Sequence, residues 1–279
     1  MTENKRKRPG LKVEAERGRK GRDRFQADGD FSGREENSDK LEGRNSVIEA
    51  LRAGRTINKI LVARGGREGS INQIIALARE KGIVVQEVDR SRLDSLSETR
   101  AHQGVIAFVA AKEYVDVDDI LAAAEAKNEP PFIVILDEIT DANNFGSILR
   151  TADAAGVHGV IIPKRRAIGL TAAVSKSSAG AVEYVPVARV TNISQTIDYL
   201  KKKYIWVVGT DASGDKPFYA SDLKGPIALV IGSEGEGMSR LVREKCDFTV
   251  SIPMKGRISS LNASVAAAIV MYEIMKQRS

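Results

Sequence analysis

The sequence predicts an α/β protein whose larger part is a parallel sheet covered by helices. From Phe132 onward, six short β-branched runs alternate with helical segments. Within those runs apolar residues are consecutive rather than alternating, the pattern of strands buried on both faces. Of the 279 residues 42% are hydrophobic and 29% charged, which suits a folded core and excludes a wholly disordered or collagen-like chain. The length allows one large domain or two modest ones.

The elements follow in order. Residues 1–38 are dense in Lys, Arg, Glu, Asp and Gly, with Leu11 and Val13 the only aliphatics larger than Ala after Met1. Too little apolar surface is available there to offset the entropy of ordering, so a disordered basic tail is expected. Its clusters at Lys5–Arg8 and Arg17–Arg24 offer phosphate contacts, or serve only to solubilise. A small α/β unit is expected over 39–112. It has a helix from Asn45, a strand at Lys59–Ala63, a helix at Ile71–Lys81 stopped by Gly82, and strands at Ile83–Val88 and Gly104–Val109. Residues 113–131 carry an Ala-rich helix and end in Pro130-Pro131, which suits a linker.

Over 132–279 the expected strands are Phe132–Leu136, Gly159–Pro163, Val182–Val187, Ile205–Thr210, Ile227–Gly232 and Phe248–Pro253. Helices are expected at Phe145–Ala155, Ala172–Ala181, Ile193–Lys203, Met238–Lys245 and Asn262–Lys276. Ligands of such sheets collect at the C-terminal ends of the strands. That rule selects Asp137–Arg150, Pro163–Arg166, Gly209–Asp211, Gly232–Gly237 and Pro253–Asn262.

Charge and cysteine usage narrow the function. There are 43 basic and 37 acidic residues, a net +6, compatible with a nucleic-acid partner without requiring one. No apolar run approaches the ~18–20 residues of a membrane span, and no apolar stretch follows the basic N-terminus, so a cytoplasmic protein without a membrane partner is expected. Cys246 is the only cysteine, and His102 and His158 are the only histidines. An intramolecular disulfide is excluded, and no metal is expected.

Three segments carry chemistry. Asp141-Ala-Asn-Asn-Phe-Gly-Ser-Ile-Leu-Arg150-Thr-Ala opens a helix, with Asn144 at the expected N-cap and Arg150 off the apolar stripe. Helical side chains lean toward the N-terminus, so the guanidinium can add charge to a helix mouth that already favours anions. Taken alone, the segment reads more readily as a capped helix with one solvated arginine. Ile227–Met238 runs from an apolar strand into Gly232-Ser-Glu234-Gly-Glu236-Gly. It matches neither a P-loop nor a dinucleotide fingerprint, and its carboxylates suit a cationic or zwitterionic ligand better than a pyrophosphate. Ser251–Ser264 passes from a strand end into a helix start through Ser259, Ser260 and Asn262, which is also a plausible capping cluster.

Taken together, Asn-x-Gly-x-x-x-Arg-Thr-Ala, Gly-x-Glu-Gly-x-Gly and Ile-Pro-Met…Ser-Leu-Asn-x-Ser resemble the SpoU family of RNA ribose 2′-O-methyltransferases. The resemblance spans about residues 40–279. Leu41-Glu-Gly-Arg-Asn-Ser-Val47 and His102-Gln-Gly104 are similar to the small, ribosomal-protein-like RNA-binding domain of one subgroup, whose target is a guanosine of 23S ribosomal RNA; a transfer RNA or another RNA as target, or a catalytically silent RNA-binding protein of the same fold, are the alternatives. The resemblance implies a C-terminal trefoil knot in 132–279, S-adenosyl-L-methionine as cofactor, and a homodimer formed through the knot region. It implies cofactor contacts at Gly209, Thr210, Gly232, Ile252 and Leu261, and a catalytic set of Asn144, Arg150, Glu234, Ser260 and Asn262. Arg150 is open between two roles: a base, or a cation that pairs with the target phosphate and stabilises a developing alkoxide. Arginine's hold on its proton favours the second. The Ala/Val-rich face of the last helix, with Val265, Ile269, Tyr272 and Met275, is the expected subunit contact.

Overall fold

A computed structural model describes residues 39–66 and 69–279. The basic tail expected over 1–38 lies outside the described residues.

The first sheet has four strands and three helices: β1 (Asp39–Glu42), α1 (Arg44–Arg52), β2 (Ile57–Ala63), α2 (Ser70–Glu80), β3 (Val84–Val88), α3 (Arg90–Leu96) and β4 (Val105–Val109). Strand order is β1-β4-β2-β3, with β2 and β3 parallel and the other pairs antiparallel. Helices cover both faces. Leu51, Ile60 and Ile74 pack on one side, and Leu61, Leu93 and Phe108 on the other. Two separated motifs meet at one end. Arg44 N donates to Gln103 Oε1 (3.1 Å) and its Nε to Gln103 O (3.1 Å), while Gly43 takes φ +93, a region that favours glycine.

Then follow α4 (Val117–Ala126), β5 (Phe132–Leu136), α5 (Ala142–Ala154), β6 (Gly159–Pro163), α6 (Ala172–Ser177), β7 (Val187–Val190), α7 (Ile193–Lys202), β8 (Trp206–Thr210), β9 (Lys216–Pro217), β10 (Ile227–Ile231), α8 (Arg240–Lys245), β11 (Phe248–Ser251) and α9 (Ala263–Arg278). The second sheet has the order β7-β6-β5-β10-β8-β11-β9 and is parallel throughout. β5 starts one wing, β10 the other, so the strand order reverses between them. A crevice opens at such a switch point, outside the strand C-termini.

Three expectations are corrected. Asp141, not Asn144, caps α5: its Oδ1 accepts from Asn144 N (2.8 Å), and Asn144 lies inside the first turn. The apolar run at Val182–Val187 is mostly not a strand. Ala181–Glu183 form a 3₁₀ turn that buries Val182 and Val185, and the strand begins only after Pro186, whose ring removes a ladder donor. Residues 113–131 are more than a connector. A capping box between Asp116 and Asp119 starts α4, and its buried Ile120 packs on Gly159, where a Cβ would come within 2.5 Å of it. The strands β1 and β9 and the helix α3 are short and went unread.

The most heavily bonded buried acid lies in the first unit. The fully buried Glu42 accepts from Ser97 Oγ (2.7 Å), Glu98 N (2.6 Å), Thr99 N (3.2 Å) and Thr99 Oγ1. Burial alone would raise its pKa, but these donors outweigh that, and the net shift is below the ordinary 4.5. A lowered folded value means the bonded carboxylate adds stability above 4.5, lost as pH falls through the lower folded value. Glu42→Ala, which strands these donors, is expected to cost about 3 kcal/mol. Glu42→Gln should flatten the acid arm of the stability curve. Denaturant unfolding at neutral and acid pH measures both.

Candidate active site

The crevice is built from three chain segments at the ends of β5, β10 and β11. Asp137, just beyond β5, donates its N–H to Ile231 O (2.8 Å) and accepts from Ser239 N (2.7 Å), which fixes both ends of the glycine loop. Within that loop Ser233 and Gly237 exchange backbone bonds of 2.9 and 3.0 Å. A Cβ on Gly232 would stand 2.1 Å from Gly237 C and 2.2 Å from Met238 N, so only glycine lets the loop fold back on its own strand.

That fold-back presents Glu234. Its Oε1 accepts from Asn144 Nδ2 (3.0 Å), from Asn262 Nδ2, and from Ala263 N (3.3 Å). The same Asn262 amide donates to Asn144 Oδ1 (2.8 Å). Asn262 Oδ1 caps α9, accepting from Ser264 N (3.0 Å) and Val265 N (3.3 Å). Asn144, Glu234 and Asn262, far apart in sequence, thus form one hydrogen-bonded group.

Beside the group lies a cavity of about 250 Å³. Thr210, Gly232, Ile252, Ser260 and Leu261 all line it, as does Glu234. Gly209 lies behind the wall. Its missing side chain leaves room for Met238, whose Cε would be 2.6 Å from a Cβ there, rather than for a ligand. Thr210 Oγ1 is occupied by Val230 O (3.0 Å), leaving its backbone for contact. A larger cavity of about 500 Å³, walled by Trp206, Lys216 and Phe248, opens at the opposite, N-terminal ends of the strands. The switch-point rule favours the smaller one.

Arg150 stands apart. It lies six residues beyond Asn144, about 9 Å further along the axis at ~1.5 Å per residue. It is exposed, and its side chain makes no hydrogen bond or ion pair among the described residues. The histidines lie elsewhere. His158 Nδ1 accepts from Phe132 N (3.0 Å) and its Nε2 meets Glu129, at the N-terminal end of the sheet, where burial lowers its pKa. His102 is in the first unit, bonded to Asp94.

Asp211, within the strand-end segment Gly209–Asp211 that the sequence selects but without a role assigned to it there, also lines the cavity. Burial would raise its pKa, but Ser213 Oγ and N (2.7 Å each) and Arg243 bring it below the ordinary carboxylate range. The cavity wall is therefore anionic at Asp211 and apolar at Val250, Ile252, Leu261 and Ala266. Among the described residues, 253–261 make no backbone–backbone hydrogen bond, so their peptide groups remain available to a ligand edge. A flat apolar ring with polar edges joined to a cationic part, as in a purine nucleoside carrying a sulfonium, fits these donors. Among the described residues no cluster of His, Cys, Asp or Glu could hold a metal, and no helix is long and apolar enough to cross a membrane.

Fold and site together define an α/β enzyme that holds a small cofactor at a sheet switch point, with a second α/β unit joined to it. Comparisons sharpen this. The model of the SpoU rRNA Methylase family matches residues 131–272, and that for RNA 2′-O ribose methyltransferase substrate binding matches 40–115. A Bacillus subtilis protein named as a TrmH family tRNA/rRNA methyltransferase, YacO, is 54% identical over 85% of this chain and 94% of its own length. Two solved structures share the fold. The SpoU methyltransferase AviRb of Streptomyces viridochromogenes, in complex with AdoMet, has a TM-score of 0.72 and 28% identity over 90% of this chain and 94% of its own. An AdoMet-bound rRNA methyltransferase of Sinorhizobium meliloti has a TM-score of 0.66 and 26% identity over 87% and 88%. The chain belongs to the SpoU family of RNA 2′-O ribose methyltransferases, and its cofactor is S-adenosylmethionine.

The two strand-end glycines should respond differently to alanine. Gly232→Ala forces the backbone of the 233–237 loop apart and is expected to abolish measurable cofactor binding. Gly209→Ala meets side chains and no backbone, the far end of the flexible Met238 and Cys246 Sγ at 3.0 Å, and should weaken binding less. Calorimetric titration with S-adenosylmethionine ranks the two.

Proposed function

We propose that the chain methylates the ribose 2′-hydroxyl of a specific guanosine in 23S ribosomal RNA, in the cytoplasm, as a homodimer with a trefoil-knotted C-terminal domain. The observation that carries the reading is the joined group of Asn144, Glu234 and Asn262 beside the cavity. The unit over 39–112 supplies RNA recognition, and 132–279 the chemistry. Ribosomal RNA is favoured by the resemblance of Leu41–Val47 and His102–Gly104, which meet in space at Arg44 and Gln103. Transfer RNA is the second reading, because the Bacillus subtilis relative carries a tRNA/rRNA name.

When bound, S-adenosylmethionine supplies an electrophilic methyl group. The protein must place the ribose oxygen in line and ease loss of its proton. Backbone at Thr210, Gly232, Ile252 and Leu261 borders the cofactor, and Gly209 supports this wall from behind through Met238. Asn144 and Asn262 act as fixed amide dipoles, with Glu234 setting which way each points. The Ser260 hydroxyl faces the ribose or the cofactor's methionine end.

Arg150 pairs with the phosphate of the target nucleotide and stabilises the developing alkoxide. Its exposure and its distance along α5 fit a site completed across a dimer. On α9, Val265 and Tyr272 are each 46% exposed and Ile269 and Met275 half-buried, so an apolar strip faces outward for a second copy.

Mapping 2′-O-methyl positions in ribosomal and transfer RNA of a deletion strain tests the target. Loss of one 23S guanosine mark supports the proposal. Loss of a tRNA mark selects the second reading, and an unchanged map would overturn both.

For Arg150, Arg150→Ala should lower kcat about 10²–10³-fold, equivalent to about 2.7–4 kcal/mol of transition-state stabilisation. Arg150→Lys should retain part of the rate, since a cation remains without the planar fork. Cofactor affinity should hardly change in either. Equal loss in both variants, together with an ionisation seen only in wild type, would instead assign Arg150 as the base.

A further inference from the structure

The seam between the two units is bonded, and its centre is a buried charge. The Glu183 side chain, 1% exposed, lies on the 3₁₀ turn before β7 and accepts from Arg55 Nη1 at 2.7 Å. Arg55, with a side chain 9% exposed, also binds Ala110 O through Nε (3.1 Å) and Nη2 (2.8 Å), at the end of β4. Lys112 Nζ bonds Glu183 O at 3.1 Å and lies 3.5 Å from its Oε2. Both cations thus come from the small unit or the chain leaving it, and the anion from the large one.

Further contacts surround this centre. Tyr184 Oη donates to Glu49 Oε2 (2.6 Å), Ser46 Oγ to Ser175 O (3.2 Å), and Lys176 Nζ to Thr99 Oγ1 (3.3 Å). Gly180 lies against Glu49, where a Cβ would be 2.6 Å from the glutamate's own Cβ. The path onward to the site is equally close. α6 packs on α5 at Gly146, where a Cβ would come within 2.4 Å of Ser177 Cβ, and Asn144 is in the same helical turn.

A freely tethered RNA-binding unit needs none of this. Burying Glu183 and Arg55 costs desolvation that is offset by their fit to each other and to Ala110 O and Lys112, and a partly opened seam would strand charge. We propose that Glu183 is a positioning residue: it locks the RNA-binding unit at a fixed distance and angle from the methyl-transfer site, so the enzyme selects its nucleotide by spacing from the recognised RNA element. The proposal rests on the reading that residues 39–112 bind RNA. Under it, the two contacts of one RNA reinforce each other only while their spacing is fixed.

The test uses the full chain. Glu183→Gln should raise the KM for the RNA substrate by about tenfold or more, as effective concentration is lost between linked contacts. It should leave kcat at saturation and cofactor affinity close to wild type. Spin labels on Glu80→Cys and Lys202→Cys, both exposed, with the half-buried Cys246 replaced by alanine, report the inter-unit distance without RNA. A single narrow distance should broaden in Glu183→Gln. If that variant fails to fold, Arg55→Gln with Glu183→Gln leaves no unpaired charge in this pair and carries the same test.

A distance distribution that stays narrow overturns the proposal. So does a broadened distribution with an unchanged KM, provided that Arg64→Glu with Arg100→Glu, on the exposed surface of the small unit, raises KM. If the surface variant also leaves KM unchanged, it is the RNA-binding reading of 39–112 that falls, and the positioning role falls with it.

Discussion

One carboxylate oxygen organises the site. Glu234 Oε1 takes hydrogen bonds from α5, from the residue that caps α9, and from the first backbone N–H of α9. These two segments and the loop that bears Glu234 start at the ends of three different strands, and the group forms only when all three have reached the crevice. Charge-assisted bonds of this kind are stronger than neutral ones, and here each also orients an amide. The rest of the site follows from where that oxygen is held. The Gly232 fold-back places it, Asp137 fixes both ends of the loop that bears it, and the two asparagines take their direction from it.

Much of this was legible in the sequence because residue types at strand ends are informative. Continuous apolar runs marked the parallel strands, and the glycine loop, the helix-opening asparagine and the Ser-Leu-Asn turn marked three corners of one crevice. The failures have physical causes too. Val182–Val187 has strand composition, but Gly180, at φ +95, and Pro186 bound a buried turn instead. Asn144 looked like a cap because Asp141, three residues earlier, is an equally good one and wins the position. Gly209 reads as a ligand-approach glycine, but no pattern in one strand can reveal that Met238 fills its space.

The long-range polar contacts were the least legible. Glu42, Glu183 and Asp137 are ordinary acids in sequence, and each is decisive only because tertiary structure buries it among donors. A buried acid that is fully bonded tolerates few alternative arrangements, since each would strand a donor or a charge. Apolar contacts give the two units their bulk. These acids give them particular geometries: Glu42 within the small sheet, Glu183 between the units, and Asp137 at the crevice.

The two walls of the cofactor cavity differ in kind. The wall from Gly232 to Gly237 is closed on itself by backbone bonds and at Gly232 excludes even one added methyl group. The opposite wall, 253–261, makes no such bonds among the described residues and exposes Met254 and Ile258. Few internal bonds and exposed backbone place that segment at the low end of local stability. Ligand entry therefore needs no remodelling of the first wall, and the ordering entropy of capture falls on the second. Residence time then becomes a property of the pliant side, which can diverge in sequence and tune turnover while the rigid side keeps the pocket's shape.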